Sequence, residues 1–217
     1  MKKVLLLGDC IRVQCQERVK ELLADECEVL YPSFDYGYTL SLLWFLRLQF
    51  NENQDWAEPD LIYWNTGIMD HHRPVDDGEP LIPAEMFLHL LRRLHRQLAF
   101  YSGRLVWAST TPAGEKYVYD PQGNYGVDRE TWNKEIALYN RLAAAYLTEK
   151  DVMIHDLYAL IAKNPQYSGD DGIHLSPEGV EAAAQEIAAC IRLRLDQPAA
   201  QRESDEQGDA AAEVQWY

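Results

Sequence analysis

The chain has 217 residues, of which 47% are hydrophobic and 25% are charged, a composition typical of a soluble globular protein. A chain of this length buries roughly 70% of the surface of its unfolded form, so it needs neither disulfides nor metals to be stable. Its net charge of −15 at pH 7 repels phosphates, which argues against non-specific binding to nucleic acid or to an anionic membrane.

Short apolar runs alternate with helix-length amphipathic segments along the chain. Short strands are predicted at 4–7, 28–31, 61–64, 105–108 and 152–155. Helices are predicted at 11–24, 40–50, 83–100 and 130–147, with a short helix after the fifth strand and a last helix from 177 to about 195. Strands that alternate with helices pair in parallel, so we expect a three-layer α/β fold with a five-stranded parallel sheet.

The number of cysteines and the N-terminal sequence indicate the cellular compartment of the protein. The four cysteines form no CxxC pair; they are Cys10, Cys15, Cys27 and Cys190. So few cysteines in a chain of this size predict reduced thiols. The N-terminal apolar run covers only residues 4–7, whereas a secretory signal needs about 7–15 apolar residues, and no segment approaches the roughly 20 needed to span a bilayer. We therefore expect a cytoplasmic protein.

The composition changes near residue 195. Residues 1–195 are predicted to form one domain. The segment 196–217 contains six acidic residues and one arginine, without apolar periodicity. Such a segment buries too little apolar surface to offset the entropy lost on ordering, so we predict an acidic, flexible C-terminal tail.

Ligands of parallel α/β sheets bind at the carboxyl ends of the strands, so the residues that follow each strand are the candidates for function. Cys10 follows the first strand and begins a helix. The free amides and the positive end of a helix lower the pKa of a thiol, which favours a reactive thiolate. The alternative is a small residue that only packs.

Two further strand-end segments carry polar side chains. Asp171 precedes His174 by three residues, a spacing at which a carboxylate can orient an imidazole as a general base. Asn65 ends the third strand and is followed by Gly67, so its amide can stabilise an oxyanion. Both segments are also compatible with ordinary turns or helix caps.

Taken together and in this order, the motifs resemble the SGNH (GDSL-type) hydrolase family. Gly8-Asp9-Cys10-Ile11 resembles the GDS block, Trp64-Asn65-Thr66-Gly67-Ile68-Met69-Asp70 the asparagine block, and Asp171-Gly172-Ile173-His174-Leu175 the DxxH block; Tyr36-Gly37-Tyr38 falls where the family has a further glycine. The resemblance covers about residues 3–193. It implies a flavodoxin-like sheet and hydrolysis of acyl esters, such as acetyl esters on carbohydrates, without a cofactor.

By position, the resemblance makes Cys10 the nucleophile, His174 the base and Asp171 the residue that orients the base. The oxyanion hole would comprise the amides of Cys10 and Gly37 and the side chain of Asn65. The family nucleophile is serine, so three interpretations of Cys10 remain: a natural thiol nucleophile, a substituted enzyme, or a relative that binds a carbohydrate or acyl ligand without turnover. Because the base, its carboxylate and the asparagine all remain, we favour retained acyl transfer from a small-molecule ester.

The other polar clusters are given structural interpretations. His71 and His72 lack metal-ligand spacing, so we expect no metal and predict that they line the rim of the cleft. His89 and His95 are predicted to lie on the solvated face of an arginine-rich helix. The loop 113–128, with Tyr117, Tyr119 and Tyr125, is predicted to be a lid over the substrate; the alternative is a surface loop with its own small cluster.

Overall fold

The computed structural model describes residues 1–74, 78–120 and 126–202. The strands are β1 Lys2–Leu7, β2 Cys27–Leu30, β3 Leu61–Asn65, β4 Leu105–Ala108 and β5 Met153–His155. The α-helices are α1 Cys10–Leu22, α2 Thr39–Glu52, α3 Ala84–Tyr101, α4 Arg129–Thr148, α5 Leu157–Lys163 and α6 Pro177–Leu195. Single 3₁₀ turns lie at Gln54–Trp56, Met69–His71 and Pro165–Tyr167.

The five strands form one parallel sheet in the order β2-β1-β3-β4-β5, which confirms the predicted architecture. The chain first runs from β1 outward to β2 and then returns to the other side of β1 to form β3. This reversal is the topological switch point, where a crevice forms at the carboxyl ends of two adjacent strands. Leu7 of β1 lies opposite Trp64 of β3, so the residues that follow them meet at this point.

Helices cover both faces of the sheet, and this explains why the strands are continuous apolar runs. Because side chains alternate along a strand, Val4 and Leu6 pack in one core, whereas Leu5 and Leu7 pack in the other. The first core is formed with α1, α5 and α6. The second is formed with α2, α3 and the C-terminal half of α4.

Local signals begin the last helix where the sequence predicts. The hydroxyl of Ser176 accepts a hydrogen bond from the Gly179 amide at 3.1 Å, and Pro177 occupies the first helical turn. A serine N-cap satisfies an amide that the helix leaves unpaired, and proline at this place loses no hydrogen bond. The helix ends at Leu195, as expected.

The first residues of the predicted tail contact the domain. The Ala200 amide donates to the Gly103 carbonyl at 2.8 Å, and Arg104 Nε donates to the Gln197 carbonyl at 2.9 Å. Residues 203–217 of the predicted tail lie outside the described residues, so its flexibility stays a prediction. No helix in the described ranges is long and apolar enough to cross a membrane.

The prediction for the α3 histidines is correct for one and wrong for the other. His89 is exposed, whereas His95 is only 5% exposed. The Nδ1 atom of His95 lies 3.2 Å from the hydroxyl oxygen of Tyr146 on α4. The helical face that carries His95 therefore packs against α4, and burial lowers the pKa of His95 to about 4, which keeps the imidazole neutral.

Candidate active site

Cys10 lies at the carboxyl edge of the sheet because a tight turn joins β1 to α1. Gly8 has a φ of +147°, and a Cβ atom on it would lie 1.7 Å from Asn65 Oδ1, so only glycine fits there. Asp9 caps α1 by accepting a hydrogen bond from the Ile11 amide at 3.0 Å. Cys10 is therefore the first residue of α1, and its side chain is half-buried.

The environment of Cys10 contradicts the expectation of a thiolate. Burial, followed by the negative charges of Asp9 and Asp35, raises the pKa of the Cys10 thiol above its ordinary value of 9.0, and Asp171 adds to this increase. The hydrogen bond from the residue's own backbone amide opposes the shift but is weaker. The thiol is therefore protonated at neutral pH, and a base must remove its proton during an attack on substrate.

Alkylation of Cys10 by iodoacetamide is accordingly expected to be slow at neutral pH and to accelerate through pH 9 without a plateau. Only the thiolate reacts, and the raised pKa keeps its fraction small. Asp35→Asn should increase the rate, modestly because Asp35 is exposed and water screens its charge. The rate is measured on the Cys10 peptide by mass spectrometry, with Asp25→Asn, in the turn after the C-terminal end of α1, as the control. A plateau below about pH 8.5 would contradict the assignment.

His174 and Asp171 form a hydrogen-bonded pair on the loop before α6. His174 Nδ1 donates to Asp171 Oδ2 at 2.6 Å, and Asp171 Oδ1 accepts from the amides of Ile173 and His174 at 2.9 Å each. Burial acts to raise the pKa of Asp171, but the hydrogen bonds from the His174 side chain and the two amides outweigh it and lower the pKa. An ionised Asp171 fixes the proton on Nδ1, so the Nε2 atom is left to accept a proton.

Gln14 connects this loop to the helix that begins at Cys10. Its Oε1 accepts from the Leu175 amide at 2.9 Å, and its Nε2 donates to the Leu175 carbonyl at 3.2 Å. These hydrogen bonds hold Leu175, the residue after His174, against α1 at a position one turn from Cys10. Within the described ranges no hydrogen bond joins Cys10 Sγ to His174, and such bonds often tighten only when substrate binds. The sequence did not single out Gln14, because a glutamine on a helix carries no distinctive signal.

Asn65 spans the switch point between β3 and β1. Its Nδ2 donates to Asp9 Oδ1 at 2.7 Å, and its Oδ1 accepts from the Asp9 amide at 3.3 Å. The side chain is nearly buried and lies next to the turn that carries Cys10. An asparagine amide has two hydrogens, and the described residues offer the second one no acceptor. That hydrogen is available to a ligand oxygen.

Gly37 lies on the segment between β2 and α2, beside the end of β1. The amide of the preceding residue, Tyr36, donates to the Gly8 carbonyl at 3.1 Å. Gly37 has a φ of +68°, which strains any larger residue, and a Cβ atom on it would lie 2.9 Å from Met69 Sδ and require that side chain to shift. In the described part of the chain the Gly37 amide has no internal acceptor, and the Cys10 amide interacts with its own sulfur; amides of this kind can stabilise an oxyanion.

One residue of the histidine pair, His71, does not line the cleft as predicted. His71 is completely buried, with its ring centroid 4.4 Å from that of Tyr139, and burial lowers its pKa. His72 is half-buried, with its ring 5.6 Å from that of Trp132. The rim prediction is therefore wrong for His71, which packs in an aromatic cluster. Among residues 1–74, 78–120 and 126–202, no three His, Cys, Asp or Glu side chains are grouped to hold a metal.

The predicted lid has a structural role at one of its tyrosines. Tyr117 is only 8% exposed, its hydroxyl donates to the Val127 carbonyl at 3.0 Å, and its ring lies 5.5 Å from that of Trp132. It packs in the hydrophobic core on the α1 and α6 side of the sheet, so neither the lid nor a separate loop cluster describes this tyrosine. Tyr119 is exposed, and Tyr125 lies outside the described residues.

Comparison of this structure with solved structures identifies similar folds. A lipase/acylhydrolase from Enterococcus faecalis matches with a TM-score of 0.65 and 19% identity over 94% of this chain and 100% of that one. A GDSL-like lipase from Bacteroides thetaiotaomicron VPI-5482 matches with a TM-score of 0.64 and 16% identity, covering 90% and 88% of the two chains. A carbohydrate acetylesterase from Sinorhizobium meliloti matches with a TM-score of 0.67 and 16% identity, covering 89% and 99%.

Sequence comparison adds nothing to these structural matches. No protein-family model and no curated protein matches the chain. At 14–19% identity the similarity establishes the arrangement of helices and strands and does not extend to chemistry. It spans almost the whole of each compared chain, and the sheet order β2-β1-β3-β4-β5 is that of flavodoxin-like sheets. The chain has the three-layer α/β fold of the GDSL-type lipases and acetylesterases.

Proposed function

We propose that the protein belongs to the SGNH (GDSL-type) hydrolase family and hydrolyses acyl esters, with Cys10 as the nucleophile. The observation that carries this proposal is the His174–Asp171 pair, which Gln14 anchors to the helix that begins at Cys10. A buried thiol with a raised pKa needs a positioned base, and an imidazole held by a carboxylate is such a base. The asparagine on the adjacent strand end supplies the complementary donor for an oxyanion.

The proposed reaction has two steps. In the first, His174 Nε2 takes the proton from Cys10 while Sγ attacks the ester carbonyl. The resulting oxyanion is stabilised by the amides of Cys10 and Gly37 and by the side-chain amide of Asn65. His174 then gives the proton to the leaving alcohol, and a thioester remains on Cys10. In the second step, His174 activates a water that hydrolyses the thioester, which releases the acid and restores the thiol.

Acetyl esters of carbohydrates are the substrate class that we propose. A structural neighbour is a carbohydrate acetylesterase, and the net charge of −15 favours neutral substrates over polyanions. A second candidate function is binding of a carbohydrate or acyl ligand without turnover. It is supported by the raised pKa of Cys10 and by the lack of a hydrogen bond from its sulfur to His174 in the described structure.

Hydrolysis of 4-nitrophenyl acetate and of an acetylated xylo-oligosaccharide tests the proposal. The protein should release nitrophenol in a burst followed by a slower steady rate, because thioester formation precedes its hydrolysis. Cys10→Ala should abolish both phases, and Cys15→Ala, which removes a buried cysteine of the same helix, should keep them. Equal activity of the protein and Cys10→Ala would overturn the proposal. Calorimetric binding of the sugar without any hydrolysis would favour the second candidate.

A further inference from the structure

Asp70 is a buried carboxylate that the proposed reaction does not use. It lies in the 3₁₀ turn Met69–His71, five residues after Asn65, and its side chain is completely buried. Its Oδ1 accepts from the Thr39 amide at 2.9 Å, and its Oδ2 accepts from the Thr39 hydroxyl at 2.5 Å. The Thr39 hydroxyl oxygen also lies 2.8 Å from that of Thr66. Three side chains from two segments thus form one buried network.

This network joins the two segments that carry oxyanion donors. Thr39 is the first residue of α2 and follows Gly37 by two positions, whereas Thr66 directly follows Asn65. The hydrogen bonds therefore fix the segment of Gly37 against the segment of Asn65. Both donors must point at the same ligand oxygen, and a displacement of about 1 Å at such a site can lower the rate about a hundredfold.

Stability alone gives no reason for a carboxylate here. The N-cap residue of α2, Tyr38, makes no side-chain cap hydrogen bond, so Asp70 caps this helix from another part of the chain. A serine or aspartate at position 38 would cap the helix through the amide of its second or third residue, at the surface and without burying a carboxylate. The pKa of Asp70 is raised to about 7, first by burial and further by Asp9, against the hydrogen bonds from Thr39. Burying this carboxylate lowers stability, and its hydrogen bonds connect the segment of Gly37 to the segment of Asn65.

We propose that Asp70 is a positioning residue that, through Thr39 and Thr66, fixes the Gly37 amide relative to the Asn65 side chain in the oxyanion hole. The inference rests on the proposed function, because it assigns a role within that site. Asp70 does not touch the substrate. It acts on the rate by holding in place the groups that do.

Thr39→Val and Thr39→Ser separate this role from simple packing. Valine matches threonine in shape but lacks the hydroxyl, so Thr39→Val should lower kcat for 4-nitrophenyl acetate by about 10- to 100-fold, with KM little changed. Thr39→Ser keeps the hydroxyl and should retain most of the activity. Asp70→Ala should lose kcat in the same way. Asp70→Asn should recover most of it, because an amide can accept from the Thr39 amide and donate to the Thr39 hydroxyl.

The control is Asp60→Ala. This change removes a carboxylate that accepts a hydrogen bond from the Lys3 amide at 2.8 Å and that lies at the amino ends of the strands, opposite the candidate site. It should leave kcat unchanged. A folded Thr39→Val protein with undiminished kcat would overturn the inference, and so would a Thr39→Ser protein that loses as much as Thr39→Val.

A measurement without turnover distinguishes this inference from the proposed function. If the protein hydrolyses no ester, the proposed function fails. The positioning role is then tested by the NMR chemical shifts of the Gly37 amide and of the Asn65 side-chain amide. Displacement of both signals in Thr39→Val but not in Asp60→Ala would support the positioning role. Unchanged signals in Thr39→Val would overturn it.

Discussion

Replacing Asp171 with asparagine is expected to lower kcat/KM for an acetyl ester by about 10³- to 10⁴-fold while the loop keeps its conformation. Asparagine Oδ1 can still accept from the amides of Ile173 and His174. The atom that faces His174 Nδ1 becomes an amide donor, however, so Nδ1 must accept and Nε2 must carry the proton. His174 can then no longer take a proton from Cys10, whose raised pKa makes that transfer necessary.

Steady-state kinetics with matched variants test this expectation. His174→Ala should lose a similar factor, and the double variant should lose little more, because the two residues act as one unit. Asp170→Asn is the control, since this neighbouring carboxylate is almost fully exposed and its ion pair in the described structure is with the exposed Lys116. Equal activities of Asp171→Asn and Asp170→Asn would contradict the role of Asp171.

Replacing Asn65 with alanine is expected to lower kcat by about 10²- to 10³-fold, the usual effect of removing one oxyanion donor, with a much smaller change in KM. The variant should also be less stable by about 1–3 kcal/mol, because the buried Asp9 loses its side-chain partner. Kinetics below the melting temperature, together with thermal unfolding, separate the two effects.

Asn140→Ala provides the matched control for Asn65→Ala. The Asn140 side chain also makes two hydrogen bonds, accepting from the Thr110 amide and donating to the Thr110 carbonyl, each at 2.9 Å. It lies on α4, and it binds the backbone of Thr110 after β4 rather than Asp9 in the turn that carries Cys10. Its loss should lower stability and leave kcat nearly unchanged. The oxyanion assignment is wrong if both variants lose kcat equally.

The fold could be predicted from local patterns alone. Each strand is a short apolar run because helices cover both faces of the sheet, and the signals at Ser176 and Pro177 act within the helix that they begin. Glycines at sharp turns, such as Gly8, are needed by the backbone itself. The pairing of Asp171 with His174 also depends on residues only three positions apart. These features need no information from distant parts of the chain.

The electrostatics and the supporting contacts of the site could not be predicted in the same way. The helix end favours a Cys10 thiolate, but burial, followed by the charges of Asp9, Asp35 and Asp171, raises the pKa of the thiol. Burial and the approach of the two distant carboxylates arise only through folding. Gln14 contacts Leu175 across 161 positions of sequence. From the sequence alone, His71 is expected at the surface. In the structure its segment folds inward, and its ring packs against that of Tyr139.

Intact-protein mass spectrometry during turnover tests the central claim, that Cys10 carries the acyl group, most directly. The protein is mixed with 4-nitrophenyl acetate, quenched in acid at short times and digested to locate the label. We predict a transient mass increase of one acetyl group on the peptide that contains Cys10, which forms as fast as the nitrophenol burst and is absent in Cys10→Ala. Hydrolysis without acetylation of Cys10, or with the same acetylation pattern in Cys10→Ala, would contradict the account.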